Sequence, residues 1–325
     1  MTTNVFVTGA SGFVGSHLIE ALRRDSRRIG VLSHQNHLPA FDAYETVSGD
    51  INDFPLLARS LQGTGTLFHL AAALGGSLID PGEFERINIQ GTDTVLRAAR
   101  EAGVKKIVHF SSAGVLGKVP KGTVAGEDHA LNPQTVYDRT KCEGERIAMR
   151  YAENGLDVCI VRPGWIYGPG DRRTFKLISA VAKKRFCMVT RGDSLQTPVY
   201  IDDLIRGTLM CAEKGRRGEI YHLAGDEALP VKSMVSTIAA AAGARIPPFY
   251  LPLLPARAAA GILETLFRAF HKEAPLTRGK LAFFIHPKPL SIEKAVSTLG
   301  FQPRVPFQEG MSTTLEWYKS HGWLD

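Results

Sequence analysis

A tyrosine and a lysine four residues apart could together move a proton. Tyr137 and Lys141 fall on one face of a predicted helix over 136–154. A free phenol has a pKa of about 10, and a nearby ammonium would stabilise the phenolate and lower that value. Ser112 closes a predicted strand over 106–110, where its hydroxyl could hold a carbonyl oxygen. A Tyr-x-x-x-Lys pair alone is equally typical of a solvated helix surface, so its surroundings decide its meaning.

A glycine-rich loop near the start of the chain is the second chemical feature. It follows a predicted strand over 5–7 directly and opens a helix. Glycines there permit a tight turn, let the backbone approach a pyrophosphate, and let helix and strand pack closely. The helix N-terminus then offers N–H groups and partial positive charge to the phosphates. The loop therefore predicts a dinucleotide site that is formed by Gly9, Ser11, Gly12, Phe13, Val14 and Gly15.

The residues that follow the second predicted strand, 28–32, indicate which dinucleotide the site would bind. Ser33 and His34 stand where an acidic residue usually holds the adenosine ribose hydroxyls. Without a carboxylate, a 2′-phosphate is not repelled, and both side chains could donate hydrogen bonds to it. The pattern favours NADP over NAD, although no arginine follows the strand directly. Both residues could instead be ordinary loop residues.

Short apolar runs that alternate with amphipathic stretches position these candidates. The predicted strands are 5–7, 28–32, 66–70, 106–110, 158–162, 198–201 and 219–223, and the predicted helices are 17–24, 88–102, 136–154 and 203–213. This alternation predicts an α/β fold, a doubly wound parallel Rossmann sheet with a smaller C-terminal α+β cap. We expect residues 1–163 and about 198–225 to form the NAD(P)-binding domain, and about 164–197 and 226–325 the substrate-binding cap.

Composition limits the class of protein and its partners. The 325 residues are 44% apolar and 22% charged, which predicts a globular chain and excludes a disordered or fibrous one. The formal net charge is +7, but no block of lysine or arginine favours nucleic acid. A small-molecule substrate is the expected partner.

The cysteines and histidines predict neither disulfides nor a metal site. Cys142, Cys159, Cys187 and Cys211 are far apart and lack Cys-x-x-Cys spacing. Reduced thiols and the lack of a signal-peptide pattern predict a cytoplasmic protein. His34 and His37 are too isolated from other ligands to suggest a metal.

An apolar segment over 256–270 allows three interpretations. It is shorter than the about 20 apolar residues that span a bilayer, so no transmembrane segment is expected. Arg257, Glu264 and Arg268 fall on one helical stripe, which predicts an amphipathic helix. The helix could pack on the core of the cap, form the wall of an apolar substrate pocket, or rest on a membrane surface as a peripheral contact.

Taken together, the motifs resemble the extended short-chain dehydrogenases/reductases, the NAD-dependent epimerase/dehydratase superfamily, over nearly the whole chain. They are the runs at 8–15, 49–50, 69–72, 88–92, 110–113, 137–141, 162–170, 199–203 and 299–303.

The resemblance implies roles for individual residues and a homodimer. Ser112, Tyr137 and Lys141 would be catalytic. Cofactor contacts would come from Asp50, Ile51, Leu70, Ala71, Ala72, Asn88, Ser111, Tyr137, Lys141, Pro163, Gly164 and Ile166. Substrate contacts would come from Leu74, Ala113, Trp165 and Gln196.

Departures from the family pattern indicate which branch of the family this sequence resembles. Ala113 and Gly114 stand where sugar-nucleotide 4,6-dehydratases carry Asp-Glu, which argues against water elimination. Trp165 stands where sugar-nucleotide epimerases usually place asparagine, and no Arg-Asp pair precedes Val199. The run at 162–171 and the apolar cap resemble the 3β-hydroxysteroid dehydrogenase and dihydroflavonol reductase branches.

We therefore expect an NAD(P)-dependent oxidoreductase that transfers hydride between nicotinamide and a secondary alcohol or ketone on an apolar skeleton. A nucleotide-sugar epimerase is the first alternative, since Arg191 could replace the missing diphosphate clamp. A non-catalytic NAD(P)-binding regulator is the second, although it would not need Ser112, Tyr137 and Lys141 together.

Overall fold

The apolar runs rich in β-branched residues form strands, and the amphipathic stretches form the helices between them. The computed structural model describes residues 4–24, 28–34, 44–74, 79–247, 249–270, 272 and 274–324. The strands are β1 (Asn4–Thr8), β2 (Ile29–Ser33), β3 (Tyr44–Ser48), β4 (Thr64–His69), β5 (Lys106–Phe110), β6 (Val158–Pro163), β7 (Trp165–Tyr167), β8 (Met188–Val189), β9 (Leu195–Gln196), β10 (Pro198–Tyr200), β11 (Ile220–Leu223), β12 (Leu229–Pro230) and β13 (Tyr250–Leu251).

The helices of the described residues include two short irregular pieces. The α-helices are α1 (Phe13–Arg24), α2 (Phe54–Ser60), α3 (Pro81–Glu85), α4 (Thr92–Glu101), α5 (Val136–Glu153), α6 (Arg172–Ala182), α7 (Ile201–Lys214), α8 (Val231–Ala241), α9 (Leu253–Ala269), α10 (Arg278–Ile285), α11 (Glu293–Leu299) and α12 (Phe307–Ser320). A π-helix, Arg86–Gly91, leads into α4, and a 3₁₀ helix, Ala113–Leu116, follows β5. The predicted helix over 88–102 is therefore a π-turn followed by an α-helix.

Within the described residues, seven parallel strands form the central sheet in the order β3-β2-β1-β4-β5-β6-β11. The strand order reverses between β1 and β4, and ligands of doubly wound sheets bind at such switch points. Thr8 is paired in register with His69 there, so the loops that follow both strands face one crevice. The predicted α/β Rossmann fold is confirmed.

Alternate side chains of each strand enter two different cores. On one face, Val7, Val108 and Val161 pack in a core that includes residues of α1 and α7. On the other, Leu67 and Ile107 pack with residues of α2, α4 and α5. Because both faces are buried, these strands read as nearly continuous apolar runs.

The chain leaves the central sheet after β6 and returns to it once. The segment between β6 and β11 forms the β7–β10 pair and α6. The strand β11 then pairs with β6 at the edge of the sheet. Two further pairs, β9–β12 and β8–β13, lie outside the sheet, as do α9 and α10. None of the described helices combines the length and hydropathy that crossing a membrane requires.

Candidate active site

A different physical reason accounts for the glycine at each of the three loop positions. Gly9 has φ +77°, and a Cβ on it would lie 2.6 Å from the backbone nitrogen of Ala71. A Cβ on Gly15 would overlap the Gly9 carbonyl oxygen, so this glycine lets α1 pack on the loop. Gly12 is exposed, and a Cβ there would meet only the Gly9 oxygen, at 3.2 Å. Position 12 is therefore restricted less severely by the protein than positions 9 and 15, and its predicted contact with a pyrophosphate stays a prediction.

A chain of buried hydrogen bonds ties the ends of β1 and β4 to α4. Thr92 Oγ1 donates to the Asn88 carbonyl oxygen, at 2.8 Å, and therefore accepts from His69 Nε2, at 3.1 Å. His69 Nδ1 then accepts from Thr8 Oγ1, at 2.8 Å. Burial lowers the pKa of His69 to about 3, so the ring is neutral and its proton is on Nε2.

The Asn88 side chain holds the loop that follows β4. Its Oδ1 accepts from the backbone nitrogen of Ala73, at 2.7 Å, and its Nδ2 donates to Thr140 Oγ1 on α5, at 3.0 Å. A Cβ on Gly144 of α5 would lie 2.7 Å from the Asn88 carbonyl oxygen. The π-turn that carries Asn88 thus connects the candidate cofactor loop, 70–73, with the helix of Tyr137.

Tyr137 lies in the first turn of α5, which begins with a capping box. Thr135 Oγ1 accepts from the Asp138 backbone nitrogen, and the Asp138 carboxylate accepts from the Thr135 nitrogen. Ser112 Oγ accepts from the Gly114 nitrogen at the start of the 3₁₀ helix, at 3.0 Å. The Ser112 side chain lies close enough to Tyr137 to act on the pKa of its hydroxyl. The end of β5 and the start of α5 therefore bring the predicted pair together.

The electrostatics of Tyr137 differ from expectation. Burial raises the pKa of Tyr137, while the positive charge of Arg173 and the Ser112 side chain act in the opposite direction. The Tyr-x-x-x-Lys spacing predicts that a neighbouring ammonium lowers this pKa, but burial outweighs the favourable charges here. Arg173, in the first turn of α6, is a charge that no local motif indicated.

Lys141 is buried one turn below Tyr137. Its Nζ donates to the Phe110 carbonyl oxygen at the end of β5. Burial lowers the pKa of Lys141 to about 8, and the carboxylate of Glu145 opposes that effect. Glu145 is itself paired with Arg162 of β6, from Nε to Oε2 at 3.0 Å. The Lys141 ammonium is therefore bound by the end of β5, and the Glu145 carboxylate that acts on it is itself paired with Arg162.

The candidate adenine end is built around Asp50. Arg86 Nη1 donates to both Asp50 oxygens, at 2.9 and 2.8 Å, and the same guanidinium also binds Glu83. His34 Nε2 lies 3.4 Å from Asp50 Oδ2. Burial opposes ionisation of Asp50, but hydrogen bonds from Asn52 and Arg86 outweigh it and lower its pKa. Arg86 was missed by the sequence argument because it comes from a turn 36 residues away.

Aromatic side chains surround Trp165. Its ring centroid lies 5.9 Å from that of Tyr167, 5.4 Å from Phe283 and 6.4 Å from Phe307. Gln196 is buried, and its Nε2 donates to the carbonyl oxygens of Phe283 and His286, at 3.0 and 2.9 Å. This amide holds the end of α10, and its predicted substrate contact stays a prediction.

The remaining predicted residues lie on the same edge of the sheet. Ser33, Ile51, Ser111, Ala113 and Pro163 are buried, whereas Leu70, Ala71, Ala72, Gly164 and Ile166 are half-buried and Ser11 and Leu74 are exposed. Their roles stay predictions. His37 lies outside the described residues, among which no group of three potential metal ligands occurs.

The switch-point crevice, the glycine loop and the Ser112–Tyr137–Lys141 arrangement define a class of protein: an NAD(P)-dependent short-chain dehydrogenase/reductase of the extended type. The profile of the NAD dependent epimerase/dehydratase family matches residues 5–224, and the chain belongs to that family. The resemblance inferred from the motifs is confirmed.

Relatives and solved structures cover nearly the full chain. The 4-hydroxy-2-methyl-3-oxo-4-farnesyl-3,4-dihydroquinoline-1-oxide ketoreductase of Stigmatella aurantiaca is 32% identical, over 94% of each chain. The 3β-hydroxysteroid dehydrogenase/Δ5→4-isomerase of Mycobacterium tuberculosis (strain H37Rv) is 29% identical, over 97% of this chain and 90% of that one. The structure of MoeE5 in complex with UDP-glucuronic acid and NAD superposes with a TM-score of 0.79, at 28% identity, over 98% and 99% of the two chains.

Proposed function

We propose that this protein interconverts a ketone and a secondary alcohol on an apolar skeleton. The observation that carries the proposal is the aromatic cluster of Trp165, Tyr167, Phe283 and Phe307, in which Tyr167 is buried and the other three rings are partly exposed. Such a wall binds a hydrocarbon ring better than it binds a diphosphate. Two relatives are named for reactions on apolar skeletons: the substrate of one carries a farnesyl group, and that of the other is a steroid.

In the proposed mechanism, Ser112 holds the substrate oxygen and Tyr137 supplies the proton. The nicotinamide, when bound, donates or accepts the hydride. During reduction, the Tyr137 proton moves to the oxygen that becomes the alcohol, and during oxidation it returns to the phenolate. Lys141, held by the Phe110 carbonyl, would orient the nicotinamide ribose and stabilise the phenolate by its charge.

Gly114 supports a reaction without water elimination. A Cβ at this position would overlap Asp138 Oδ1, so the local packing excludes any larger side chain. The Asp138 carboxylate is engaged in the capping box of α5. A carboxylate that could assist elimination is therefore not supplied by residue 114.

A sugar-nucleotide epimerase is the second candidate, favoured by the similarity to the structure that contains UDP-glucuronic acid and NAD. A thermal-shift panel separates the two. With NADH or NADPH present, hydrophobic ketones should raise the melting temperature, and UDP- and dTDP-sugars should not. Stabilisation by a sugar nucleotide alone would reject the apolar ketone. Oxidation of NAD(P)H in the presence of a stabilising ketone would exclude a non-catalytic regulator.

We infer that the cofactor is NADP rather than NAD. Support comes from Ser33 and His34 at the end of β2, and from Asp50, whose carboxylate is paired with Arg86. The His34→Asp variant should shift the ratio of kcat/KM values from NADPH towards NADH, because its carboxylate would repel the 2′-phosphate. An unchanged ratio would contradict the inference.

We further propose a cytoplasmic homodimer with the two predicted domains. The free thiols of all four cysteines support a reducing compartment. The return of β11 to the central sheet supports a nucleotide-binding domain that includes about 198–225. The dimer is proposed to form through helices that include α5. A monomer in light scattering at micromolar concentration would contradict it.

A further inference from the structure

The helix α9 turns three of its large apolar side chains away from the protein. Its fully buried residues are Ala256 and Ala260, which pack in the core. Large apolar residues spaced by multiples of four lie on the opposite side and are solvent-exposed: Leu254 is 77% exposed, Ile262 60% and Leu266 53%. The alanine side of α9 packs on the core, as the first of the three interpretations expects, and the opposite side is left open to a partner.

The exposed apolar surface extends beyond both ends of the helix. We define the α9 face as the exposed large apolar side chains Phe249, Tyr250, Leu254, Ile262, Leu266 and Phe270. Scattered apolar residues are normal on protein surfaces, but six large ones on a single helix and its two flanks indicate a site of association. An amphipathic helix whose apolar side faces outwards is typical of helices that lie in a membrane interface.

The charge around the α9 face indicates what kind of partner would bind there. Residues 245–280 contain six lysines and arginines and two glutamates, a net charge of 6 − 2 = +4. Arg257, Lys272 and Arg278 are exposed. Glu264 accepts a hydrogen bond from the Arg278 backbone nitrogen, at 2.8 Å, and is largely shielded from solvent. An apolar surface with a basic border matches anionic phospholipid headgroups.

The same charge argues against a second copy of this chain as the partner. A symmetric dimer through the α9 face would bring two basic borders against each other. Like charges that meet across an interface oppose association. An anionic bilayer instead neutralises them while the apolar side chains leave water.

The geometry points to peripheral docking of the α9 face on an anionic phospholipid membrane. The neighbouring helix α10 contacts α9 and carries Phe283, which lies against Trp165. Docking would therefore place the aromatic wall near the membrane, where an apolar substrate dissolves. This last consequence rests on the proposed function, whereas the docking itself does not.

Co-sedimentation with vesicles tests the docking. The protein should bind vesicles of equal parts phosphatidylglycerol and phosphatidylcholine, and bind pure phosphatidylcholine much less. The double variant Ile262→Glu, Leu266→Glu should lose about tenfold or more of the partition coefficient. Val124→Glu is the matched control, because Val124 is 59% exposed but lies outside the α9 face, and it should bind like the original chain.

Four results would contradict membrane docking. Failure of the original chain to bind vesicles, equal binding to both lipids, or full binding by the double variant would each overturn the proposal. So would a dimer that the double variant converts to a monomer without any vesicle binding, since the α9 face would then join two copies. Vesicle binding needs no substrate, so it stands or falls independently of ketone reduction.

Discussion

The Arg162 guanidinium and the Glu145 carboxylate form a bidentate ion pair that is 2% and 3% exposed. The pair joins β6 to α5 one helical turn after Lys141. Arg162 also donates to the Glu127 carbonyl oxygen, at 2.9 Å, so its charge is held from two sides. This arrangement keeps a negative charge near Lys141 without leaving it uncompensated.

Replacement of Glu145 by glutamine should destabilise the protein strongly. The change leaves the buried Arg162 charge without its partner, which typically costs about 3–5 kcal/mol of unfolding free energy. Urea unfolding measures it. Glu143→Gln is the control, because Glu143 forms an exposed pair with Arg146 on the same helix and should change the free energy by less than about 1 kcal/mol. Equal effects of the two variants would contradict the prediction.

The Tyr137→Phe variant should lose turnover and keep cofactor binding. Removal of the hydroxyl removes the proposed proton donor, and such groups contribute about 10²–10⁴-fold to rate. Stopped-flow kinetics and calorimetry with NAD(P)H measure the two quantities. Tyr151→Phe on the same helix, whose hydroxyl lies 3.2 Å from Asp93 Oδ1, should keep its turnover. A kcat close to the original in Tyr137→Phe would remove Tyr137 from the mechanism.

Two glycine variants should separate binding from folding. Gly12→Val should abolish NAD(P)H binding, because its side chain would occupy the proposed pyrophosphate position. Gly15→Ala should lower the melting temperature, because its Cβ would overlap the Gly9 oxygen. Calorimetry and thermal unfolding check the pair. Unchanged NAD(P)H affinity in Gly12→Val would show that the loop does not hold the cofactor.

The contribution of Lys141 to stability should increase with pH. Its folded pKa of about 8 lies below the unfolded value of 10.5, so the unfolded chain binds more protons between these values. The free energy of unfolding of the original chain, relative to Lys141→Met, should therefore rise by about 2 kcal/mol from pH 7.5 to 9.5. Urea unfolding at both pH values provides the difference. A constant difference would show that Lys141 titrates alike in both states.

The fold could be predicted because both faces of the sheet are buried. Continuous apolar runs such as Val158–Arg162 are distinct from the amphipathic helices between them, and loop glycines mark the first crossover. The strand β3 was not predicted: the alternation in Tyr44–Ser48 is too weak to distinguish an edge strand from a loop.

The candidate site was predictable only where local spacing carries the chemistry. The proximity of Ser112 and Tyr137 joins two elements whose order the sequence displays. Arg86 and Arg173 act across long sequence separations, and no pattern relates either of them to Asp50 or Tyr137. The orientation of α9 was also unpredictable: its charged stripe is a sequence property, but which side meets the core depends on tertiary packing.

The position of β11 limits how the chain can be divided. A fragment that ends at Pro163 would retain six strands but leave the outer edge of β6 without its partner. All six residues of β6 are buried in the intact protein, and all but Arg162 are apolar. An unpaired strand edge can form hydrogen bonds with another chain, so the isolated N-terminal half should aggregate. The residues after 163 prevent this aggregation because they pair with that edge.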